Sequence, residues 1–550
     1  MFKKLKNINF IFIALLIVLS IIPAFPLIHP GLPSTHDGPD HVARIMAFYQ
    51  NLEDGILIPR WGAFLNWGYG HPILEFLYPL PSYIASIFHI LGLSFFDATK
   101  LVFALGPILS FIFMYLWLKG FMARESSVLG AVLYSYAPYR FVDLYVRGDI
   151  GENLAFAFIP ASLFFIYRLY KKKDYLNIIL GSFSIGLLIL SHNAIALITV
   201  PLIFLYGLYL WWNLKLEKKF IVNFLTLFIL GFLLSLFFWL PALLEGKYTL
   251  RNIVTKGGYI NSFVSLQKLV FGPWNFGGSG LFTVQLGIVQ WISLVASPFL
   301  IYKYYIKKDK NFAFALVLLM FSLLAIFIML PISNFLWSNI ILLQNLQFPW
   351  RFLALTVFTT AVLGAYLIEN VSKKYKKISA VILIIIVLVF SKNSIKANGY
   401  FYNLIHLENG IYKSTTDTGE SSPIWSVRFM EKRPKAHLEV IDGDAQIKEL
   451  ERTSIYHKYR VKVIKDTLFG ENTLYFPGWE IRANGNLINV EFQNMQYMGI
   501  MVYNLSEGDY IVEAKYSETK LRLMSDIISL VSILFIACFV SFKFVKGKHY

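Results

Sequence analysis

The chain has 550 residues, of which 57% are hydrophobic and only 15% charged, with a formal net charge of +17. Soluble domains are about 45–50% apolar and about 25% charged, so this composition excludes an ordinary soluble enzyme and indicates a membrane protein with several spans. The basic residues lie mostly in short loops between apolar segments, so they indicate membrane topology and argue against a nucleic-acid partner.

Twelve apolar segments approach or exceed the length needed to cross the bilayer, which is about 20 residues of straight helix. They are residues 9–28, 97–119, 126–142, 152–170, 175–191, 194–212, 220–243, 284–305, 311–331, 350–370, 378–391 and 523–542. Residues 76–92 are also apolar, but a span there would move every later basic loop to the opposite side of the membrane. We therefore expect an interfacial or re-entrant helix at this position.

Basic residues define the predicted orientation, because with twelve spans every cluster lies on the same side of the membrane. The clusters are Lys3, Lys4 and Lys6; Lys119 and Arg124; Lys171, Lys172 and Lys173; Lys215, Lys218 and Lys219; Lys303, Lys307 and Lys308; Lys373, Lys374, Lys376 and Lys377; and Lys543, Lys546 and Lys548. The positive-inside rule makes that side cytoplasmic, together with both termini. We expect the protein to reside in the plasma membrane.

Three domains follow from this topology. Residues 1–391 are predicted to form a transmembrane catalytic-type domain that includes a long first outer loop, 29–96. Residues 392–522 contain alternating apolar and polar residues, which predict an extracytoplasmic β-rich domain. Its turn signals are Asp442-Gly443, Asn484-Gly485 and Glu507-Gly508. Residues 523–550 form the final transmembrane anchor, so the expected fold class is mainly α, a polytopic helical bundle with a β-rich domain near the C-terminus.

The first outer loop carries a dense polar motif, Thr35-His36-Asp37-Gly38-Pro39-Asp40-His41. Ionisable groups near lipid are costly and are usually retained for function. Residues 39–53 have apolar residues at helical spacing, which predicts an amphipathic helix lying on the membrane. Asp40 falls in its first turn, where it complements the helix dipole and can pair with Arg44. Asp37 has no such structural role beyond capping and is therefore favoured as a catalytic carboxylate.

Five further polar residues are predicted at outer helix ends. Arg60 is either a snorkelling anchor or an anion contact. Arg147 lies in a glycine-rich loop that gives a ligand access to the backbone, although a plain loop fits equally well, and Glu152 is partly explained as an acid in a first helical turn. His192 is either a polar kink between two helices or a site residue. Arg351 opposes the dipole at a helix start, which favours phosphate binding.

These motifs resemble those of multi-pass membrane proteins with the glycosyltransferase-C fold, and most closely a group described as "membrane protein, 6-pyruvoyl-tetrahydropterin synthase-related". The resemblance covers nearly the whole chain. The residues that carry it are His36-Asp37-Gly38-Pro39-Asp40-His41 with Gly55 and Pro59-Arg60-Trp61, Arg147-Gly148-Asp149-Ile150-Gly151-Glu152, Ser191-His192-Asn193, Gln347-Phe348-Pro349-Trp350-Arg351 and Tyr475-Phe476-Pro477-Gly478-Trp479.

The resemblance implies an enzyme that takes a sugar from a polyprenyl-phosphate donor at the outer face and passes it to a glycan, lipid or protein acceptor. It also implies that an acidic residue of the first outer loop acts as a base or a metal ligand. In this chain that residue is Asp37, with Asp40 in reserve. A divalent cation such as Mg²⁺ or Mn²⁺, held by Asp37 and His41, is an open alternative. For both histidines of the motif, His36 and His41, a hydrogen-bonding role is the commoner case, and it is favoured for His36.

Transfer by single displacement would invert the anomeric centre and leave a charged polyprenyl phosphate. The predicted substrate- and phosphate-binding residues are Arg60, Arg147, Glu152, His192 and Arg351, and the predicted acceptor contacts are Tyr475 and Trp479. Two other classes remain as alternatives. A transporter or flippase predicts charges within spans, broken helices and internal repeats, and a non-catalytic scaffold for envelope assembly predicts no common site.

Overall fold

A computed structural model describes residues 10–172, 174–278, 281–402 and 419–547. The predicted basic residues Lys3, Lys4, Lys6, Lys173 and Lys548 lie outside the described residues. The structure is mainly helical with an antiparallel sheet near the C-terminus, which confirms the predicted fold class. The chain forms two compact units. Unit 1 comprises Met1–Gly38, Lys100–Phe232 and Gly257–Tyr402, and unit 2 comprises Pro39–Thr99, Leu233–Lys256 and Asn403–Tyr550.

Unit 1 holds most of the helices. They are α1 (Phe10–Ile21), α5 (Phe95–Lys119), α6 (Arg124–Ser135), α7 (Pro138–Val142), α8 (Ile150–Lys171), α9 (Tyr175–Ser191), α10 (Asn193–Asn213), α11 (Lys218–Leu234), α14 (Leu266–Val270), α15 (Ile288–Ile306), α16 (Phe312–Met329), α17 (Asn334–Asn339), α18 (Ile341–Gln344), α19 (Leu353–Glu369) and α20 (Lys373–Ser391). Two short strands, β1 (Leu32–Pro33) and β2 (Tyr400–Phe401), pair antiparallel in the same unit.

Seven helices in the described part of the chain are long and apolar enough to cross a membrane. They are Phe10–Ile28, Phe95–Lys119, Ile150–Lys171, Asn193–Asn213, Phe312–Met329, Pro349–Glu369 and Lys520–Lys543. Two further helices, Lys218–Leu234 and Leu236–Tyr248, are bent by 66° and together could form an eighth, broken span. All of these coincide with predicted spans, so a polytopic membrane protein is confirmed, whereas the count of twelve stays a prediction.

Two segments show how proline and length shape the helices. The predicted span 126–142 is divided into α6 and α7, because Pro138 cannot continue a helix and the preceding Ala137 is extended. The apolar segment 76–92 forms a helix only over Leu80–Ile90. Eleven residues rise about 16 Å, well short of the roughly 30 Å of a bilayer core, so this helix is too short to span, as expected.

Helix α19 lies in the core of unit 1. Nearly all of its side chains are buried, and it packs against α6, α15 and α16. Close approach depends on a small residue, because a Cβ at Gly364 would lie 2.5 Å from Leu133 and 2.6 Å from Ser293. Helices in membranes associate through such small residues, since lipid provides no hydrophobic driving force between them. The short turn Pro349–Phe352 leads into α19 and carries residues of the candidate site.

Unit 2 combines short helices with the large sheet. Its helices are α2 (Gly38–Glu53), α3 (Ile73–Phe76), α4 (Leu80–Ile90), α12 (Leu236–Leu244), α13 (Arg251–Val254) and α21 (Lys520–Gly547). Its strands are β3 (Leu438–Arg452), β4 (Tyr456–Leu474), β5 (Trp479–Ala483), β6 (Asn486–Ile488), β7 (Ile500–Leu505) and β8 (Gly508–Tyr516). The sheet order is β3-β4-β8-β5-β6, and β7 pairs with β4. This sheet confirms the predicted β-rich character of the segment.

The turn signals have three different outcomes. Asn484-Gly485 forms the tight turn between β5 and β6, with both residues at positive φ, as a hairpin requires. Asp442-Gly443 is instead an irregularity inside β3, where the register with β4 shifts. Glu507-Gly508 joins two strands that both pair with β4 and not with each other. The 19-residue length of β4 explains this, because it provides partners for β8 and β7 in succession.

Helix α2 corrects one sequence expectation. The helix forms over Gly38–Glu53, close to the predicted range. Its polar residues Asp40, His41 and Arg44 are only 7%, 3% and 6% exposed, as buried as the apolar Val42. The exposed polar face expected of an amphipathic helix is therefore absent from α2, whereas its position at the membrane surface stays a prediction. Periodicity identified the helix but could not show that both of its faces are covered.

A buried ion pair network holds the first loop to the last helix within unit 2. Arg522, wholly buried near the start of α21, lies 2.9 Å from Glu75 and 2.5 Å from Glu245. Glu245 also accepts a hydrogen bond from the Thr519 hydroxyl at 2.7 Å. Burial raises the pKa of Glu75 well above its usual range, in spite of the nearby guanidinium. The network therefore depends on Arg522, the common partner of both carboxylates.

We predict that Arg522→Met lowers the thermal denaturation midpoint of the detergent-solubilised protein strongly. Removing one partner of a buried ion pair typically costs about 3–5 kcal/mol, because the remaining charge is left uncompensated. Size-exclusion chromatography after heating provides the measurement. The matched control is Arg482→Met, whose pair with Glu480 is half exposed and should be worth about 0–1 kcal/mol. Similar losses in the two variants would contradict the role assigned to Arg522.

Candidate functional site

Backbone hydrogen bonds join two loops of unit 1. The N–H groups of His36 and Asp37 donate to the carbonyls of Val146 and Arg147, at 3.0 and 2.8 Å. The loop between α1 and α2 is thereby fixed to the segment between α7 and α8. This pairing brings Asp37, the carboxylate favoured by sequence, next to the second polar motif. Asp37 itself is half-buried.

Gly148 makes this close approach possible. It follows a single π-helical turn, Asp143–Arg147, and has a left-handed backbone with φ +69°. A Cβ at this position would overlap the Thr35 hydroxyl. That hydroxyl also accepts a hydrogen bond from the Gly38 N–H at 3.1 Å. Thr35 is therefore held between two glycines, and no side chain fits at position 148.

Arg147 lies among three carboxylates. Its Nη1 donates to Asp143 Oδ1 and Glu152 Oε2, both at 2.7 Å, and its Nη2 donates to Asp149 Oδ2 at 2.8 Å. These four residues, the Arg147 cluster, are at most 5% exposed. The Tyr139 hydroxyl donates a further hydrogen bond to Glu152 Oε1. The guanidinium is thus fully engaged in ion pairs inside the protein.

Two helix caps meet at this cluster. Asp149 caps α8, accepting from the Glu152 N–H at 2.9 Å, and His192 caps α10 through Nδ1, which accepts from the Ile195 N–H at 3.2 Å. His192 Nε2 lies 3.5 Å from Asp149 Oδ2. Since Nδ1 acts as an acceptor, the proton of the neutral imidazole is assigned to Nε2, which faces the carboxylate. Asp149, Glu152 and His192 are also the described residues whose ligand atoms, within 4.8 Å of one another, could hold a metal ion.

Trp350 lies close to two arginines. Its ring centroid is 4.4 Å from the Arg147 guanidinium carbon and 6.0 Å from that of Arg351. Arg351 donates to the Leu346 carbonyl at 2.7 Å and to Gln347 Oε1 at 3.2 Å. Its Nε is buried without a hydrogen-bond partner in the described part of the chain. The acceptors that the structure describes for Arg351 are neutral, so its charge is not compensated as that of Arg147 is.

His36 connects the first loop to a third segment of unit 1. Its Nε2 lies 3.1 Å from the Phe276 carbonyl oxygen. Its ring is 6.4 Å from that of Phe282, which meets Trp350 edge-on at 5.1 Å. This is the hydrogen-bonding role that the sequence favoured for His36. Together these contacts place His36, Asp37 and Arg351 around the buried Arg147 cluster.

Burial and the neighbouring charges shift the pKa values of Asp143 and Arg147 in the cluster. Burial, and then the neighbouring Glu152 carboxylate, raise the pKa of Asp143 well above its usual range. Burial opposes the charge of Arg147, but Glu152 and the other carboxylates raise the pKa of its guanidinium well above the ordinary value. Arg147 therefore stays charged, and the raised pKa of Asp143 favours the protonated form of this carboxyl.

The three arginines predicted to bind phosphate differ in whether a carboxylate already neutralises their charge. Arg60, in unit 2, is 3% exposed and pairs with Glu518 at 3.1 Å and Asp526 at 2.6 Å. It is therefore neither a snorkelling anchor nor an uncompensated cation. Arg147 is likewise neutralised by carboxylates. Arg351 alone of the three predicted arginines lacks a described carboxylate partner, and it is half-buried.

Asp40 and His41, the other two predicted site residues of the first-loop motif, belong to unit 2 and are buried. Asp40 is in the first turn of α2, and its Oδ1 has no hydrogen-bond partner among the described residues. His41 Nδ1 lies 3.4 Å from Arg44 Nη1, a cationic neighbour that disfavours a metal ion at that nitrogen. Asp37 belongs to unit 1 and His41 to unit 2. The predicted metal pair Asp37 and His41 stays a prediction.

The two predicted acceptor contacts differ in burial. Trp479 is 4% exposed and packs against Trp61 and Tyr516, with ring centroids 5.5 Å apart in both pairs. It is part of the core of unit 2. Tyr475 is half-buried and stacks on Phe492 at 3.6 Å. Tyr475 therefore remains accessible for an acceptor contact, whereas the contacts of Trp479 disfavour that role.

Sequence reasoning assigned no role to four residues that build the site, Asp143, Asp149, Thr35 and Tyr139. Asp149 stood in one of the motifs that carry the resemblance, but no function was predicted for it. Asp143 and Arg147 are four residues apart, so an ion pair on one helix face was a readable signal. Thr35 stands inside the first-loop motif, but its role depends on contact with Gly148. Tyr139 carried no signal, because its partner Glu152 lies beyond the turn that separates α7 from α8.

The comparisons with known proteins agree with the resemblance inferred from the motifs. Residues 74–398 match the model of the family described as "6-pyruvoyl-tetrahydropterin synthase related domain; membrane protein". An uncharacterized protein of Lactococcus lactis subsp. cremoris is 24% identical over 367 residues, which are 64% of this chain. The match spans only 56% of that relative, so this chain corresponds to about half of its length.

Two solved structures show weaker likenesses. The arabinofuranosyltransferase AftD from Mycobacteria is 15% identical with a TM-score of 0.46, over 72% of this chain and 28% of that one. ArnT from Cupriavidus metallidurans, solved with undecaprenyl phosphate, is 14% identical with a TM-score of 0.27, over 66% of this chain and 77% of that one. Both scores are below 0.5, so neither likeness establishes a common fold.

We predict that Gly148→Ala lowers thermal stability more than Gly55→Ala does. Both glycines have positive φ, +69° and +83°, a conformation that costs a residue with a Cβ about 1–2 kcal/mol. A Cβ at Gly55 meets nothing within 4 Å, whereas at Gly148 it overlaps Thr35. The denaturation midpoints of the two variants measure the additional cost of that overlap. Equal midpoints would show that Thr35 moves away from the added Cβ without a measurable loss of stability.

We predict that Asp143→Asn changes the pH dependence of stability. A raised folded pKa means that the stability linked to this proton is present below the unfolded pKa, about 3.9, and is lost as pH rises above it. The variant has no such proton, so its denaturation midpoint should rise relative to wild type from about pH 4 towards neutral pH. Parallel curves for the two proteins over this range would contradict the prediction.

Proposed function

We propose that this chain, which belongs to the family of membrane proteins described as 6-pyruvoyl-tetrahydropterin synthase related, is a membrane glycosyltransferase. Its donor is a polyprenyl-phosphate sugar, and its acceptor is a glycan, lipid or protein of the cell envelope. The observation that carries the proposal is the position of Asp37, half-buried and fixed to the backbone of Arg147. In this proposal the site faces the outside of the plasma membrane, and both termini are cytoplasmic.

Asp37 is proposed as the general base. An acceptor hydroxyl loses its proton to the carboxylate while its oxygen attacks the anomeric carbon of the donor. The bond from that carbon to the phosphate oxygen breaks, so a single displacement inverts the anomeric centre. A positioned base contributes about 10²–10⁴-fold to such a step. The loop junction supports this role, because the backbone of Asp37 is held by a hydrogen bond of 2.8 Å.

Arg351 is proposed to bind the phosphate of the donor. Charge on the phosphate grows as the sugar leaves, and a fixed guanidinium stabilises it. Arg351 is half-buried and lies in the same unit as Asp37. Arg60 and Arg147, the other two predicted phosphate contacts, already pair with carboxylates. Glu152 and His192 are proposed to support the site through Arg147 and Asp149, since both are buried.

An aromatic group in unit 2 supports a glycan acceptor. Tyr475 stacks on Phe492, and Trp425 lies 5.4 Å from Tyr475 and 5.8 Å from Tyr248. All four rings are half-buried, so the group is not part of a closed core. Sugar rings present apolar C–H faces that pack on aromatic rings, while their hydroxyl groups bond to water or polar neighbours.

The transporter alternative receives less support. It predicts broken helices in corresponding positions of two repeats. The described helices include one bent pair, Lys218–Leu234 with Leu236–Tyr248. The charged residues of unit 1 considered above lie at helix ends and in turns, as in the Arg147 cluster at the start of α8. Among the residues that the structure describes, no contact favours a scaffold.

We predict that Asp37→Asn lowers transfer by about 10²–10⁴-fold, the usual contribution of a general base. The full chain in lipid nanodiscs is supplied with pentose and hexose polyprenyl phosphates and with a cell-envelope glycan fraction as acceptor. Mass spectrometry measures the polyprenyl phosphate released and the sugar added to the acceptor. Asp40→Asn should cause a smaller loss, since Asp40 is buried in the first turn of α2. A larger loss of transfer in Asp40→Asn than in Asp37→Asn would identify Asp40 as the general base. Turnover near the wild-type rate in both variants, or none in the wild type, would contradict the proposed function.

A further inference from the structure

The Arg147 cluster raises the question of which cation compensates its carboxylates. Buried carboxylates require a positive partner, which in proteins is either a metal ion or a basic side chain. Asp149, Glu152 and His192 have ligand atoms within 4.8 Å of one another, which is compatible with a metal site. The sequence resemblance also implies that acidic residues in such enzymes can be metal ligands. The contacts of each ligand atom decide between the two cations.

The carboxylate oxygens that a metal would need already accept hydrogen bonds from Arg147. Asp149 Oδ2 accepts from Nη2 at 2.8 Å, and Glu152 Oε2 accepts from Nη1 at 2.7 Å. A divalent cation bound to these oxygens would lie next to the guanidinium, where the two positive charges repel each other in a buried site. Arg147 is also held in place by the Trp350 ring, 4.4 Å from its guanidinium carbon. The guanidinium therefore competes directly with a metal ion.

His192 is unsuited to metal binding in its present contacts. A neutral imidazole has one nitrogen with a proton and one with a free electron pair. The electron pair of Nδ1 accepts the N–H of Ile195 at the start of α10. Nε2, which faces Asp149 at 3.5 Å, then carries the proton and cannot donate an electron pair to a metal. Metal binding would require the loss of the α10 cap.

We infer that Arg147 takes the place of a divalent cation in this cluster, which therefore binds no metal. The guanidinium holds Asp143, Asp149 and Glu152 together, and the same residue offers the carbonyl that fixes Asp37. Arg147 is thus a permanent, covalently attached cation. The inference concerns cation binding alone and does not depend on the glycosyltransferase proposal.

Terbium luminescence tests the inference directly, because Tb³⁺ binds carboxylate oxygens as hard divalent cations do and emits when a nearby tryptophan is excited. Trp350, beside Arg147, is the reporter. The full chain in nanodiscs should show no saturable signal from this site in the wild type. Arg147→Ala exposes the carboxylates and should gain a saturable signal, displaced by Mn²⁺ and lost again when Asp149→Asn is added. Arg147→Lys, which retains a cation, is the matched control and should not gain the signal.

Two results would overturn the inference. The first is saturable Tb³⁺ or Mn²⁺ binding by the wild type that Asp149→Asn abolishes, since the cluster would then hold a metal with Arg147 present. The second is a folded Arg147→Ala protein that gains no signal, since Arg147 would then not stand in place of a cation. If Arg147→Ala does not fold, the wild-type titration with its Asp149→Asn comparison still decides the matter. Absence of a difference between those two proteins supports the inference.

Discussion

The arrangement of unit 1 around the candidate site depends on one interaction, the ion pairing of Arg147 with three buried carboxylates. The cost of burying these acids is offset only while the guanidinium stays among them. That requirement holds the turn Asp143–Arg147 and the start of α8 in a single arrangement. Asp37 depends on it in turn, because its N–H donates to the carbonyl of Arg147. A buried cluster thereby positions the backbone of the half-buried Asp37, the proposed general base.

Unit 2 also contains buried arginines that pair with more than one carboxylate. Arg522 and Arg60 are both buried, and each pairs with two carboxylates from distant parts of the chain. Such pairs contribute little net stability compared with apolar packing, but they impose a specific arrangement, since any other leaves a charge uncompensated. Arginines that stand beside apolar segments in the sequence are here internal partners of acids. Arg351, whose described acceptors are neutral, differs from this pattern, and this difference supports the proposal that it binds the phosphate of the donor.

Sequence periodicity predicted most elements correctly, because a helix or strand has a local hydrophobic pattern. It identified α2 and the β-rich segment, and the glycine in Asn484-Gly485 marked a tight turn. It failed where the structure depends on which strands pair with each other or on which faces of a helix are buried. Glu507-Gly508 has the composition of a hairpin turn, but both adjacent strands pair with β4. The same limit made a buried helix α2 look like a surface helix.

The sequence by itself determined that this is a polytopic membrane protein and that its acids, imidazoles and arginines concentrate in a few short motifs. Composition and spacing are local properties, and lipid imposes strong demands on them. The tertiary structure decided which of those residues belong together. In the folded protein the backbone of Asp37 is hydrogen-bonded to that of Arg147, and the Arg147 guanidinium pairs with three carboxylates. The described acceptors of Arg351 are neutral. The contact between Asp37 and Arg147 joins residues far apart in the chain, which no local pattern records. The carboxylates around Arg147 lie within five residues of it, but their burial together depends on the tertiary fold.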